Sequence, residues 1–392
     1  MTKPVNKAAF LTAEKAYPLE VGEAPYPTPV NDEVIVKAAA IAINPVDWIV
    51  QSTAFIPVPY PWILGRDVAG PIVALGPDAP PSLRLGAPVA GLCLGFATKD
   101  PATSAFQTYV KLSPPLIIAP LPPHVSFVDA AVLPLGAATA AAGLFGSDFL
   151  GLRLPPPSPP SPPSPSRETE REEEEVVLVW GASSSVGASA VQLATAAGFV
   201  VLATASPANF ALVRHLGARE VFDYKAEDVI ERIVGALVGG RRRRLVGVFD
   251  AVGTGGAVEA CVEVAGRVVA AAAAAATQQA GGGDGEGMRE EKTSIVRVST
   301  VRPLPPSLSS SSSSALPPGV TCGVVMATGI RKTAVGPAVF EDFLPKALAD
   351  GRYECAPRPE VVGEGLGCLQ GGLDRLREGG VSAGKLVVVM PE

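Results

Sequence analysis

The stretch that most constrains the fold runs from Val176 to Val201. It begins as an apolar run rich in β-branched residues (Val176 to Trp180) and passes through a turn of small residues (Gly181 to Gly187). An alanine-rich amphipathic run (Ala188 to Gly198) and a second apolar run (Phe199 to Ala203) follow. These periodicities and lengths read as strand, tight turn, helix, strand: a βαβ unit.

The turn is where chemistry can happen. A strand that empties into a helix N-terminus aims unpaired backbone N–H groups and a partial positive charge at one point, where a pyrophosphate fits. The dinucleotide fingerprint GxGxxG is met only at its last position, because Ala182, Ser184 and Gly187 occupy its three sites. The retained glycine allows close packing of helix on strand. In one reading Ser183, Ser184, Ser185, Val186 and Gly187 cradle phosphate, the serine hydroxyls sharing that role with the backbone. In the other, the turn is a plain surface turn whose serines cap the helix at Ser185.

Sites of this type carry an Asp or Glu at the end of the second strand to hold the ribose 2′-hydroxyl of NAD. Here that strand ends Ala203, Thr204, Ala205, Ser206. A 2′-phosphate meets no repelling carboxylate there, and Ser206 and Asn209 can hydrogen-bond it, so NADP is favoured over NAD. The run Leu212 to Asp223 then predicts a helix ending at Gly217 and a third strand ending near Tyr224. Val246 to Val252 predicts a fourth strand, and Gly266 to Ala274 a fifth.

The ordered succession WGASSSVG, ATASPANF, LGAREVFDY and FDAVG (Phe249 to Gly253) resembles the medium-chain dehydrogenase/reductase superfamily, in its zinc-free branch. The likeness is to fungal alcohol dehydrogenase-like proteins and trans-acting enoyl reductases, and it covers nearly the whole chain outside the low-complexity inserts. It implies an α/β fold: a Rossmann-type doubly wound parallel sheet (141–328) plus an irregular β-barrel, GroES-like catalytic domain (1–140 and 329–392). It implies NADPH as cofactor, with the adenosine phosphates on Ser183 to Gly187, Ser206 and Tyr224, and with Val252 and Gly253 in the FDAVG turn beside them. Asn44, Pro45, Val46, Asp47 and Trp48 match the family's NPVD segment, and Leu64 to Gly70 its GxDxAG segment. Thr139 matches a position near the nicotinamide. Ser382 to Lys385, SAGK, matches a closing motif beside the cofactor, with a plain turn before a strand as the alternative.

The same segments bear on metal. The zinc alcohol dehydrogenases carry a Cys in the first and a His in the second; here those neighbourhoods hold Asn44 to Asp47 and Arg66. A catalytic zinc needs three converging N, S or O ligands, and the chain has only His124 and His215 as histidines, so no metal is expected. Without a Lewis acid, the favoured acceptor is one whose developing charge is already delocalised: an enoyl or enone double bond, or a quinone. Asn44 could donate to the enolate, Asp47 could anchor its loop, and Tyr60, placed near the substrate by resemblance, could return the proton in place of water. The resemblance further implies a small-molecule or carrier-bound enoyl or carbonyl substrate, a role in secondary metabolism beside a polyketide synthase, and a monomer or homodimer. The competing readings are a zinc-independent alcohol or carbonyl reductase and a non-catalytic NADP-binding interaction protein.

Composition closes off other classes. A chain of 392 residues with 47% hydrophobic content suggests two domains with real cores. The net charge of −6 argues against a nucleic-acid or anionic-membrane surface, and Arg241 to Arg244 reads as a solvated loop. Five scattered cysteines without CxxC spacing suit reduced thiols and a cytoplasmic location. The N-terminus shows no signal peptide, and Val268 to Ala276 is too short by itself to span a bilayer. Three segments of foreign composition, 155–175, 277–292 and 303–318, read as solvated low-complexity inserts.

Overall fold

The computed structural model describes residues 4–113, 117–158, 173–239, 242–280, 295–308 and 316–392. The chain divides into two compact units, Met1–Ala138 with Ala327–Glu392, and Thr139–Met326.

The first unit opens with β1 (Asn6–Leu11), β2 (Glu20–Ala24), β3 (Val34–Lys37), β4 (Ala40–Ala42), β5 (Trp62–Ile63), β6 (Asp67–Leu75), β7 (Pro88–Leu92), β8 (Tyr109–Leu112) and β9 (Ile118–Pro120). The second unit holds β10 (Glu174–Trp180), β11 (Val200–Ala205), β12 (Glu220–Asp223), β13 (Arg243–Asp250), β14 (Val296–Thr300) and β15 (Val320–Val324). The chain then returns to the first unit as β16 (Arg358–Glu364) and β17 (Gly384–Val389).

In the first unit β17 joins β16 to β4, β4 leads to β6, and β6 pairs with both β3 and β7. A strand with three neighbours curls the sheet into a barrel-like wall, with Leu11, Ile41, Trp62 and Phe106 in its core. The apolar run Val34 to Ala42 is split after Lys37, because β3 and β4 face different partners, β8 and β17.

In the second unit six parallel strands lie in the order β12-β11-β10-β13-β14-β15. That is the doubly wound order of dinucleotide-binding sheets, which reverses between β10 and β13 and leaves a crevice at their carboxyl ends. Val176, Leu178, Leu202 and Val248 are fully buried on these strands. Each such side chain contributes roughly 1.5–3 kcal/mol of hydrophobic stabilisation.

The structure corrects the strand expected over Gly266 to Ala274. That segment lies within a helix, Ala257–Ala280, and β14 is the fifth strand. Alanine is the best helix former, and Ala257, Cys261, Val264 and Ala265 recur at helical spacing and are buried in the sheet core. The pair Val268 and Val269 suggested a strand only when read without that longer period. The run Val268 to Ala276 is thus part of a long helix: Ala257–Thr277, like Phe127–Phe145, is long and apolar enough to cross a membrane. The first helix lays a face on β13 and β14 while most of its apolar window is unburied, whereas the window of the second is largely buried, as expected of a helix inside a core.

The insert boundaries also move. Glu174 and Glu175 belong to β10, where Arg243 and Arg244 of β13 face them in register, and Thr277 belongs to the long helix. Residues 159–172, 281–292 and 309–315 of the three inserts, and Arg241, lie outside the described residues.

Candidate active site

In the second unit the turn from Gly181 to Gly187 connects β10 to the helix Ser185–Ala196. Ser184, not Ser185, is the helix cap: its Oγ accepts from Gly187 N at 3.0 Å, leaving the N–H groups of the first turn as the point of positive potential. A Cβ on Gly187 would come within 2.3 Å of Gly181 O and 2.8 Å of Ala182 Cα, both backbone atoms. Only glycine lets the helix start so close to the strand. Gly181 N is held by Thr204 Oγ1 of β11 at 3.0 Å.

Three residues singled out from the sequence meet at the end of β11. Asn209 Nδ2 donates to Ser183 Oγ at 3.2 Å and to Ser206 Oγ at 3.1 Å, and all three side chains are half-buried. Beside them the FDAVG turn is drawn tight by Asp250. Its carboxylate, fully buried, accepts from Val252 N at 2.9 Å, Gly253 N at 3.0 Å and Thr300 Oγ1 at 2.8 Å. Burial pushes the Asp250 carboxyl up, and the three donors work against that rise. Val252 lies against Gly181, whose added Cβ would meet Val252 Cγ2 at 2.2 Å, so the ends of β10 and β13 close on each other. Tyr224 is 43% exposed, with Lys225 Nζ 5.7 Å from its ring. Thr139 is buried in the helix Pro134–Phe145.

These features fit a pyrophosphate-bearing nucleotide: a helix N-terminus, half-exposed hydroxyls, and a strand–helix approach too tight for any side chain but hydrogen.

The first unit carries a buried polar network. Asn44 precedes the helix Pro45–Thr53, and its backbone N–H donates to Asp47 Oδ2 at 2.9 Å. Asp47 Oδ1 accepts from Gly65 N at 3.2 Å, so one carboxyl ties the NPVD loop to the LGRDVAG segment. Asn44 Nδ2 donates to Asp67 Oδ2 at 2.9 Å. Asp67 also receives Leu135 N at 2.7 Å and Lys385 Nζ at 2.6 Å, and Lys385 donates in addition to Val132 O at 3.1 Å. Asp47 and Asp67 are fully buried; Asn44, Arg66 and Lys385 are nearly so. Burial raises the Asp47 carboxyl to about 7, opposed by the hydrogen bond from Asn44 and by the charge on Arg66. Burial likewise lowers Arg66 and raises the Cys93 thiol. Val46, Trp48 and Tyr60 are half-buried and pack on the core of this unit. Ser382 is exposed at the mouth of the turn into β17.

Sequence reasoning named Asn44, Asp47 and Lys385 but missed Asp67, the acceptor that joins Asn44 to Lys385. The signal available was an acid opening the apolar run Val68 to Leu75. It also gave no role to Asp250 beyond marking a strand end.

The donor set does not fit zinc. Among the described residues no three His, Cys, Asp or Glu side chains group to hold a metal. Arg66 is a cation without a lone pair to offer, and the amide nitrogen of Asn44 is a donor, with one N–H on Asp67. His124 instead meets Leu348 O at 3.2 Å, and all five cysteines are free thiols.

Residues 30–122 match the alcohol dehydrogenase GroES-like domain. The chain is 40% identical over 395 residues to dehydrogenase pigH of Monascus ruber, covering 98% of this chain and 99% of that protein. It is 35% identical over 388 residues to trans-enoyl reductase himH of Aspergillus japonicus, covering 99% and 98%. Among solved structures it is similar to CurK enoyl reductase, with a TM-score of 0.69 at 19% identity over 98% of this chain and 99% of that one.

Proposed function

The chain belongs to the medium-chain dehydrogenase/reductase family and is an oxidoreductase that works with a nicotinamide cofactor, and from that premise we propose that it reduces an activated carbon–carbon double bond with NADPH. The observation that carries this reading is the polar network of the first unit, which offers hydrogen-bond donors and a buried cation where a metal-dependent enzyme needs ligands. A simple ketone concentrates charge on one oxygen in the transition state. An enone or enoyl thioester spreads it over an enolate, which hydrogen-bond donors can stabilise.

The cofactor supplies the hydride when bound. Residues 183–187 hold its phosphates, Val252 and Gly253 line its course, and Ser206, Asn209 and Tyr224 take the adenosine end. The end of β11 has no carboxylate, and its neighbouring amide and hydroxyls suit a 2′-phosphate. In the second unit Thr139 would meet the nicotinamide, and in the first Val46, Trp48 and Ser382 form the wall assigned to cofactor contact. Asp47 and Lys385, both buried, position that wall from within. Asn44 donates its remaining N–H to the enolate oxygen. Tyr60 or water returns a proton to the α-carbon.

The name of himH supports an enoyl substrate, small or carrier-borne, and a polyketide synthase is a fitting source. The match to an alcohol dehydrogenase GroES-like domain favours a second reading, a carbonyl or alcohol reductase. Consumption of NADPH and of NADH, followed with a crotonyl thioester, an aliphatic enone, a quinone and an aldehyde, separates them. Enoyl or enone turnover with NADPH preferred supports the proposal, and the Ser206→Asp variant should then raise the KM for NADPH by about tenfold or more, a carboxylate now facing the 2′-phosphate. Turnover of the aldehyde alone, or equal use of both nucleotides, overturns it.

A further inference from the structure

Arg66 is 6% exposed, yet its guanidinium has no hydrogen bond or ion pair with any described residue. Its Nε is a fully buried donor without an acceptor. Its guanidinium carbon lies over the ring of Phe96, 5.4 Å from the ring centre. Phe96 is itself stacked with Trp62, at 6.3 Å and 13°, and Trp62 Nε1 is a second buried donor without a partner. Buried polar groups are almost always paired, and a buried cation without a hydrogen-bonding partner is costly. Both residues lie against Phe96, and of the two unpartnered donors only that of Arg66 carries charge.

The neighbouring acids are otherwise engaged. Asp67 is shared by Asn44, Leu135 N and Lys385, and Asp47 is held by Asn44 N and Gly65 N. They act on Arg66 as nearby charge, not as hydrogen-bond partners. A guanidinium offers five N–H groups in a fixed fork, suited to an oxygen that carries negative charge.

We propose that Arg66 is a catalytic residue that receives the substrate's carbonyl oxygen and stabilises it as an enolate. The inference rests on the reading of the protein as a reductase of activated double bonds. Hydride addition to the β-carbon, which a bound reduced nicotinamide would supply, moves the π pair of the C=C bond into the new C=C of the enolate and the carbonyl pair onto oxygen. Arg66 donates an N–H to that oxygen. A proton from water then forms the α-C–H bond, the carbonyl is restored, and Arg66 keeps its own protons throughout.

The test uses Arg66→Met and Arg66→Lys in the full chain with two readouts. The first is steady-state reduction of an aliphatic enone by NADPH. Arg66→Met should lose roughly 10²–10³-fold in kcat, the usual effect of removing an oxyanion donor, with KM changed by less than about threefold. Arg66→Lys, which keeps the charge but not the fork, should lose about tenfold. The second is titration of 4-nitrophenol, whose phenolate mimics an enolate oxygen and has its own absorbance. Wild type should bind the phenolate in preference to the phenol and lower its apparent pKa, whereas Arg66→Met should not.

A purely structural Arg66 would lower thermal stability in both variants but leave kcat and the phenolate shift near wild type, and that result overturns the proposal. If Arg66→Met does not fold, the same two readouts on Arg66→Lys decide. If wild type reduces no enone, the reductase reading fails, and the phenolate titration alone judges Arg66 as an oxyanion receptor.

Discussion

Replacing Asp47 with asparagine tests the physics of the NPVD loop directly. In the folded chain the Asp47 carboxyl is raised from 3.8 to about 7 by burial. Over that interval it keeps a proton that the unfolded chain has released. The folded state thus binds more protons, and its stability falls as pH rises through the window, by about 1.4 kcal/mol per unit, and levels off above the folded value. Across the upper two units of the window this amounts to about 3 kcal/mol. The amide of the Asp47→Asn variant has no such titration. It keeps one acceptor for the N–H groups of Asn44 and Gly65, which costs a pH-independent penalty of roughly 1 kcal/mol for the lost hydrogen bond. Urea denaturation of both proteins through the mildly acidic to mildly alkaline range gives the difference in unfolding free energy. The first pH unit of the window already offsets the variant's penalty of roughly 1 kcal/mol, so the variant should be the more stable protein at mildly acidic pH, and its lead should grow until the pH passes about 7. A difference that does not change with pH would refute the reasoning. It would mean that Asp47 is ionised throughout, its burial offset by Arg66 and the two N–H donors.

Two further substitutions probe the two units separately. Gly187→Ala drives a Cβ to 2.3 Å from Gly181 O; it should destabilise the protein by roughly 1–3 kcal/mol and weaken NADPH binding by at least tenfold in a fluorescence titration, because the helix N-terminus must retreat from the turn. Lys385→Met removes the cation from the fully buried Asp67; since Asp67 retains Asn44 Nδ2 and Leu135 N, the loss in urea stability should fall near the lower end of roughly 3–5 kcal/mol. The double variant Lys385→Met with Asp67→Leu should recover part of it.

How much of this was legible in the chain follows from the range of each interaction. The βαβ unit at Val176 to Val201, the strand ending at Asp250, and the late strands β16 and β17 rest on periodicity within a few residues, and composition alone carries that signal. The need for Gly187 is also local, since the atoms it would strike belong to Gly181 and Ala182. Within the turn the sequence reading put the cap at Ser185, one residue too late. A single residue of offset decides which hydroxyl reaches Gly187 N, and backbone geometry chose Ser184.

What only tertiary structure decided are the pairings between distant segments. Lys385 and Asp67 lie 318 positions apart, and Asn44 and Asp67 lie 23 apart; no local pattern links an NPVD loop to a closing SAGK turn through a shared carboxylate. The helix at Ala257–Ala280 was settled by the sheet it covers, whose hydrophobic face gave the alanine-rich run something to pack against and overrode the strand-like Val268 and Val269. Arg66 shows the limit most plainly. As a letter in LGRDVAG it marks only an absent zinc ligand. Its meaning as an unanswered buried donor arises when the barrel closes around it, because burial and the removal of water are properties of the folded whole.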